Sequence, residues 1–480
     1  MSDISVPIIG LAIAVFVLIL LVLRTKVHPL IAMILAACIA GVTGGLSMKD
    51  TLEAITKGFG STLGTIGIVI GLGVMMGRVL EVSGAAEQIA YSFIKLLGRR
   101  KEEWSLAATG YLVSIPIFAD SAFVILYPIA KALSKKGERS LLTTGVALAG
   151  GLIVTHTLVP PTPGPLGVAG IFGVDIGAMM LMGLAIAIPC TLSFVLYAQW
   201  LAKKYPAFVS SVIDDDNAVI SSLSEKKLPS LTLSLLPIVV PILLILVKAL
   251  VNLFPLPDEI NNPGAYWFVQ VFDFIGTPMI ALCISTLLAV YTLVPGMDKQ
   301  QTTARLEEGL QSAGIILLVT GAGGALGFVV RESGAGTLLA EQIANLPFSP
   351  VMIPFFVASV VRLIQGSATV AMITSASITG PILAEIPEVN MLFAAQAAAI
   401  GGFLFSYFND SLFWVVGKLM GISDVKVHIT TWSVPTILGW AVGGILIALI
   451  NLFFGMRGSL FDLLVPVIGL GIVVWIVRKK

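Results

Sequence analysis

Two short stretches place polar, reactive residues inside apolar surroundings. Residues 115 to 126 read IPIFADSAFVIL and residues 363 to 373 read LIQGSATVAMI. Each run is broken by a small polar tip of the form Ser-Ala-x-Val, beginning at Ser121 in the first and at Ser367 in the second. A Ser/Thr-rich tip at the start of a half-helix offers free backbone N–H groups, hydroxyl donors and the positive end of the helix dipole. Ser121, together with Gly366, Ser367 and Thr369, thus forms a donor set suited to a carboxylate. Two such tips facing each other clamp a small organic anion. Ser and Thr also satisfy backbone groups at ordinary breaks, but recurrence of the same pattern weighs against that plainer reading.

The titratable residues lie beside these tips. Asp120 sits where ionisation is costly, so it is either a proton carrier, a charged helix cap or a partner for Arg362. Arg362, five residues before the second tip, keeps its proton and must meet a substrate carboxylate or neutralise Asp120 or Asp410. The run 140 to 158 leads into His156 and then Pro160-Pro161-Thr162-Pro163-Gly164-Pro165, where the prolines forbid a continuous helix. A second run leads into Tyr407, Asn409, Asp410 and Ser411. His156 is read as a binder of hydroxyl or carboxylate, or as a satisfied buried imidazole. Asn409 and Asp410 suit hydroxyl recognition or cation coordination, or, for Asp410, a helix cap.

The elements that must hold these residues are membrane helices. The chain is 57% hydrophobic and 11% charged over 480 residues, against about a quarter charged in a soluble domain. Its net charge of +1 provides no basic field for nucleic acid. Cys38, Cys190 and Cys283 lack CxxC spacing, which argues against disulfides and a zinc site. Runs long enough to cross a bilayer fall near 4 to 23, 28 to 46, 62 to 80, 140 to 158, 176 to 200, 231 to 253, 277 to 294, 312 to 331, 391 to 409, 431 to 454 and 460 to 478. The first is read as a retained helix rather than a signal peptide, since Asp3 precedes it and Arg24 and Lys26 follow.

Two stretches, 104 to 133 and 351 to 384, are too long and too interrupted for single spans. Each is read as a re-entrant hairpin, a form that survives at membrane depth only where it lines a protein cavity. Segments 50 to 60, 85 to 98, 299 to 311 and 335 to 346 read as interfacial helices. Glycines at 67, 71, 73 and 77 and at 321, 323, 324 and 327 suit close helix packing. With the N-terminus outside and the C-terminus inside, the cytoplasmic segments hold 21 of the 28 basic residues, as the positive-inside rule requires.

The halves also repeat. Ala-Glu-Gln-Ile-Ala at 86 to 90 recurs at 340 to 344, Ser83-Gly84-Ala85 matches Ser333-Gly334-Ala335, the tips align, and Gly150 aligns with Gly401, all at offsets between 246 and 254. The expected organisation is an all-α polytopic membrane protein of two inverted repeats, each with a re-entrant hairpin and a broken helix. The first repeat spans 1–204, a cytosolic linker with Asp214-Asp215-Asp216 spans 205–230, the second repeat spans 231–455, and an additional C-terminal helix spans 456–480.

On these residues the chain resembles the gluconate permease family of bacterial proton symporters, within the wider ion transporter superfamily. The resemblance is carried by Val82-Ser83-Gly84-Ala85-Ala86-Glu87, by His156 with Pro160-Pro161 and Pro163, by Gly366-Ser367-Ala368-Thr369-Val370-Ala371 with Arg362 ahead of it, and by Asn409-Asp410 with Phe413-Trp414. It implies uptake of gluconate or a related sugar acid across the bacterial inner membrane, a homodimer with a moving transport domain, and no cofactor. Family members commonly carry Glu-Val-Gly where this chain has Asp120-Ser121-Ala122, and many have a second histidine where it has Thr162. Relatives handling D-serine or four-carbon sugar acids mark the range of the scaffold.

The leading expectation is therefore proton symport of a sugar acid. The tips, Arg362 and Thr162 surround the substrate, Asn409, Asp410 and His156 address hydroxyls, and Asp120 or Asp410 carries the proton. Sodium coupling through unwound carbonyls and Asp410 and an anion channel are the rivals. An enzyme is disfavoured, since no GxSxG, paired-metal motif or nucleophile with an adjacent base occurs.

Overall fold

The computed structural model describes residues 6–97, 101–136, 140–205, 228–251, 262–343 and 346–478. Most of the linker expected at 205–230, with its Asp214–Asp216 run, lies outside the described residues, as do Arg99, Arg100, Arg139, Lys226, Lys227, Lys479 and Lys480 of the charge map. Every regular element among the described residues is helical. Among the described residues, seven helices are long and apolar enough to cross a membrane: Met48–Val82, Leu141–Phe172, Ile176–Lys204, Leu231–Val251, Ala313–Glu332, Val425–Phe454 and Leu460–Arg478. Shorter apolar helices include Pro7–Leu21, Pro29–Thr43, Pro350–Gln365, Ala368–Leu383 and Met391–Gly401.

Two rods form the frame. Met48–Val82 has 35 residues and Lys299–Glu332 has 34, and they pack along each other. The interfacial helices expected at 50 to 60 and 299 to 311 do not stand apart, because each runs unbroken into the span that follows. Neither junction holds a proline. Once a helix has nucleated, each further residue adds one hydrogen bond, so several glycines, each costing about 1 kcal/mol, do not stop Met48–Val82. Beyond each rod comes a left-handed glycine, Gly84 (φ 81°) or Gly334 (φ 70°), then a short helix, Ala85–Leu97 or Ala335–Ile343.

The order of elements then recurs. A helix pair, Glu102–Val113 with Ala119–Lys136, is matched by Ile353–Gln365 with Ala368–Leu383. The first broken span is Leu141–Leu158 and Pro163–Phe172, and the second is Met391–Gly401 and Ser411–Leu419. A long helix follows each, Ile176–Lys204 and Val425–Phe454. One further helix, Pro263–Ile275, was not anticipated; with Pro278–Leu293 it forms a pair bent by 70°. Its 13 residues include Gln270 and Asp273, too short and too polar to register as a span.

The two helix pairs break differently. In the second, Gly366 and Ser367 are the break itself, and Ser367 caps Ala368–Leu383 by accepting the Val370 N–H at 3.3 Å. In the first, the break is residues 114–118, so Asp120 and Ser121 lie within the first turn of Ala119–Lys136 rather than at a tip. Pro116 in this segment has no N–H for a helix. Gly77 fixes its position: a Cβ there would come within 2.1 Å of the Pro116 carbonyl oxygen, so only glycine lets the rod seat against the break.

Candidate functional site

The second pair's break and the second broken span are built into each other. Arg362 to Gln365 form the last turn of Ile353–Gln365; the Arg362 carbonyl accepts the Gly366 N–H at 2.9 Å, and the carbonyls after it have no partners within the helix. The Tyr407 hydroxyl donates to the Leu363 carbonyl, and Asn409 Nδ2 donates to those of Leu363 and Ile364, both at 3.4 Å. Gly366 holds φ at +87°, and a Cβ on it would fall 2.2 Å from the Asn409 carbonyl oxygen. Both its backbone angle and its contact therefore require glycine.

Asp410 is the hub of this junction. Its Oδ2 accepts from Arg362 Nη2 at 2.6 Å and from the Ser406 hydroxyl, and Trp432 Nε1 donates to that hydroxyl at 2.8 Å. Its Oδ1 caps Ser411–Leu419 through the Leu412 N–H at 3.4 Å. The sequence left Asp410 as one candidate partner for Arg362 and, separately, as a hydroxyl or cation ligand or a helix cap; the structure has it pairing with Arg362 and capping. Arg362 is only 2% exposed, yet its Nε and Nη1 meet no acceptor among the described residues. A buried guanidinium with N–H donors left over is suited to an anion.

A cavity of about 450 Å³ opens beside these groups. Asp120, His156, Arg362, Gly366, Ser367, Thr369, Asn409 and Asp410 all line it, so eight of the ten residues singled out in the sequence converge. Asp120 enters from the first pair, with its Oδ2 accepting the Ser411 hydroxyl at 2.8 Å. The His156 ring lies 5.6 Å from that of Phe118. Its Nδ1, Asn409 Oδ1 and Gln365 Oε1 are buried without protein partners.

Two expected residues are elsewhere. Thr162 is 3% exposed and its hydroxyl is engaged by the carbonyls of His156 at 2.8 Å and Val159 at 2.6 Å. It shapes the break in the first broken span and does not line the cavity. Ser121 lines a different cavity, beside Arg78 and Glu81, because one residue along a helix turns the side chain by about 100°. Gln365, Ser406 and Phe118 were not singled out, and Ser411 was named in the second run without a role. For Gln365 and Ser411 a signal existed, since each adjoins a residue already chosen.

An all-helical membrane protein with a buried cation only partly engaged by its ion pair and orphaned polar atoms around an internal cavity, held between interrupted helices, is of the transporter class. The model of the GntP family permease matches residues 6–453, and the chain belongs to that family, one of permeases and not of enzymes. A permease of Haemophilus influenzae is 62% identical over 488 residues, covering 100% of this chain and 99% of the relative. The gluconate permease of Pseudomonas aeruginosa is 33% identical, covering 94% of this chain and 97% of its own length. In fold, the chain is similar to the YdaH transporter of Alcanivorax borkumensis, with a TM-score of 0.64 at 16% identity over 94% of this chain and 100% of that one.

Proposed function

We propose that this permease imports gluconate or a related small sugar acid by proton symport. The observation that carries the reading is Arg362, which keeps Nε and Nη1 free at a cavity while Nη2 holds Asp410. The substrate carboxylate accepts from those free N–H groups, with support from Ser367 and Thr369. Gln365, His156 and Asn409 offer polar atoms at the same cavity, as a chain of hydroxyls requires. The gluconate permease from Pseudomonas aeruginosa supports this class of ligand.

Coupling follows from charge. Asp120 and Asp410 against Arg362 leave one negative charge uncompensated, and an entering anion adds another. At low local dielectric such repulsion is severe, so a proton on one carboxylate admits the anion. Asp120 takes that role, because its hydrogen-bond partner is the neutral Ser411 hydroxyl whereas Asp410 is matched by Arg362. The sequence repeat and the recurring element order support two inverted halves divided at 205–230 and an additional helix at 456–480. The basic-residue distribution supports an outside N-terminus, and the family resemblance supports a homodimer in the inner membrane.

The deciding experiment is uptake of labelled gluconate into proteoliposomes under an inward proton gradient with sodium absent. Accumulation that a protonophore abolishes is the expected result. Accumulation only with sodium would replace the coupling ion, equilibration without accumulation would make the protein a channel, and no uptake in either condition would remove gluconate as substrate.

A further inference from the structure

A second cavity, of about 500 Å³, lies beside the first and shares Phe118 as a wall. The rod Lys299–Glu332 orders the two. Glu308, Gly309 and Gln311 line the second cavity, and Ile315, Ile316 and Val319 line the first. At 1.5 Å per residue the two sets are offset by roughly 10 Å along one axis. The helix Ala119–Lys136 straddles the same divide, with Asp120 facing the first cavity and Ser121 the second.

The second cavity has its own cation. Arg78 Nη1 lies 2.9 Å from Glu81, and its Nε and Nη2 donate to Glu308 at 3.0 and 2.6 Å. Glu308 also holds Arg305 at 2.7 Å. Glu308 can therefore let go of Arg78 and remain paired, which leaves the Nε–Nη2 edge of the Arg78 guanidinium for another carboxylate. Partly exposed ion pairs of this sort exchange at little cost.

We propose that the second cavity is a separate carboxylate-binding chamber, reached from the opposite membrane face, with Arg78 as its anchor and Phe118 as the partition between the two chambers. The assignment rests on the transport reading above, and the test separates its failure from that reading's. In the full chain with Cys38, Cys190 and Cys283 replaced by alanine, Ser121→Cys and Ser367→Cys are each labelled with a small impermeant thiol reagent from either side of a sealed vesicle. The two cysteines are expected to react from opposite faces, Ser121→Cys from the face that bears Arg305. Phe118→Ala, or Phe118→Val where the first does not fold, abolishes this sidedness. Gluconate slows labelling at both positions, and Arg78→Gln removes the protection at Ser121→Cys alone. Labelling of both cysteines from one face, or sidedness unchanged in a folded Phe118 variant, overturns the two-chamber assignment. Protection of Ser367→Cys without Ser121→Cys overturns the anchor and spares the sugar-acid reading, whereas protection of neither removes both.

Discussion

The Ser411 hydroxyl donates to Asp120 Oδ2 at 2.8 Å, and the residue before Ser411 is the Asp410 that holds Arg362. The acid from the first half of the chain is thereby tied to the ion pair of the second through one hydroxyl. Asp120→Asn is expected to abolish proton-driven accumulation while sparing counterflow exchange of gluconate. Ser411→Ala removes one hydrogen bond, so it should weaken coupling without eliminating it. Uptake with and without a pH gradient, compared with exchange at equal pH, separates the two effects; full accumulation by Asp120→Asn would move the proton to another group.

Arg362→Ala should damage both folding and transport. Removing one partner of a buried pair strands the other charge, at about 3–5 kcal/mol. Adding Asp410→Ala to Arg362→Ala should cost less than the two single changes summed, since the residues share one interaction. Thermal unfolding of the four proteins in detergent measures this, and strict additivity would show that the pair contributes no coupling.

Gly366→Ala and Gly45→Ala form an informative comparison. Gly45, at φ +93°, has nothing within 4 Å of a built Cβ, so alanine there meets only backbone strain, about 1–3 kcal/mol. Gly366→Ala meets similar strain and a collision with Asn409. It should lower the melting temperature more than Gly45→Ala and reduce gluconate binding, because Asn409 must shift. Equal melting temperatures would mean that the junction yields freely.

Glu308 lies outside the span Ala313–Glu332, and its hydrogen bonds from Arg78 and Arg305 hold its carboxyl below the usual range. A carboxyl lowered in this way contributes stability above its unfolded value, and that contribution is lost as pH falls through its folded value. Glu308 is therefore charged throughout roughly pH 5 to 8. Glu308→Gln should leave the shape of the uptake-against-pH curve in that range unchanged, whereas Asp120→Asn should flatten it. A displaced curve for Glu308→Gln would place a titrating group at the second cavity.

What was legible in the sequence depended on how local its cause was. Arg362 announced its need for a partner because an intramembrane guanidinium cannot shed its charge, and Asp410 supplies it. The prolines from Pro160 to Pro165 announced a break because each removes a donor. Ser121 was misplaced because the Ser-Ala-x-Val match aligns letters, whereas the helix start is set upstream by Pro116 and by the seat that Gly77 makes for it. Gln365 was passed over although it adjoins Gly366, because its unpartnered oxygen is a product of how two distant breaks meet.

The rods have a consequence for the membrane as a solvent. At 35 and 34 residues they extend about 50 Å, while the hydrocarbon core is about 30 Å thick. The apolar part is shorter, Ala313–Glu332 in the second rod, about 30 Å, so a bilayer thinner or thicker than this is accommodated by tilt. Because Gly77 packs against Pro116 just ahead of Asp120, a change of tilt would be delivered to the carboxyl proposed to take the proton. Acyl-chain length would thereby become a mechanical input to the proposed coupling.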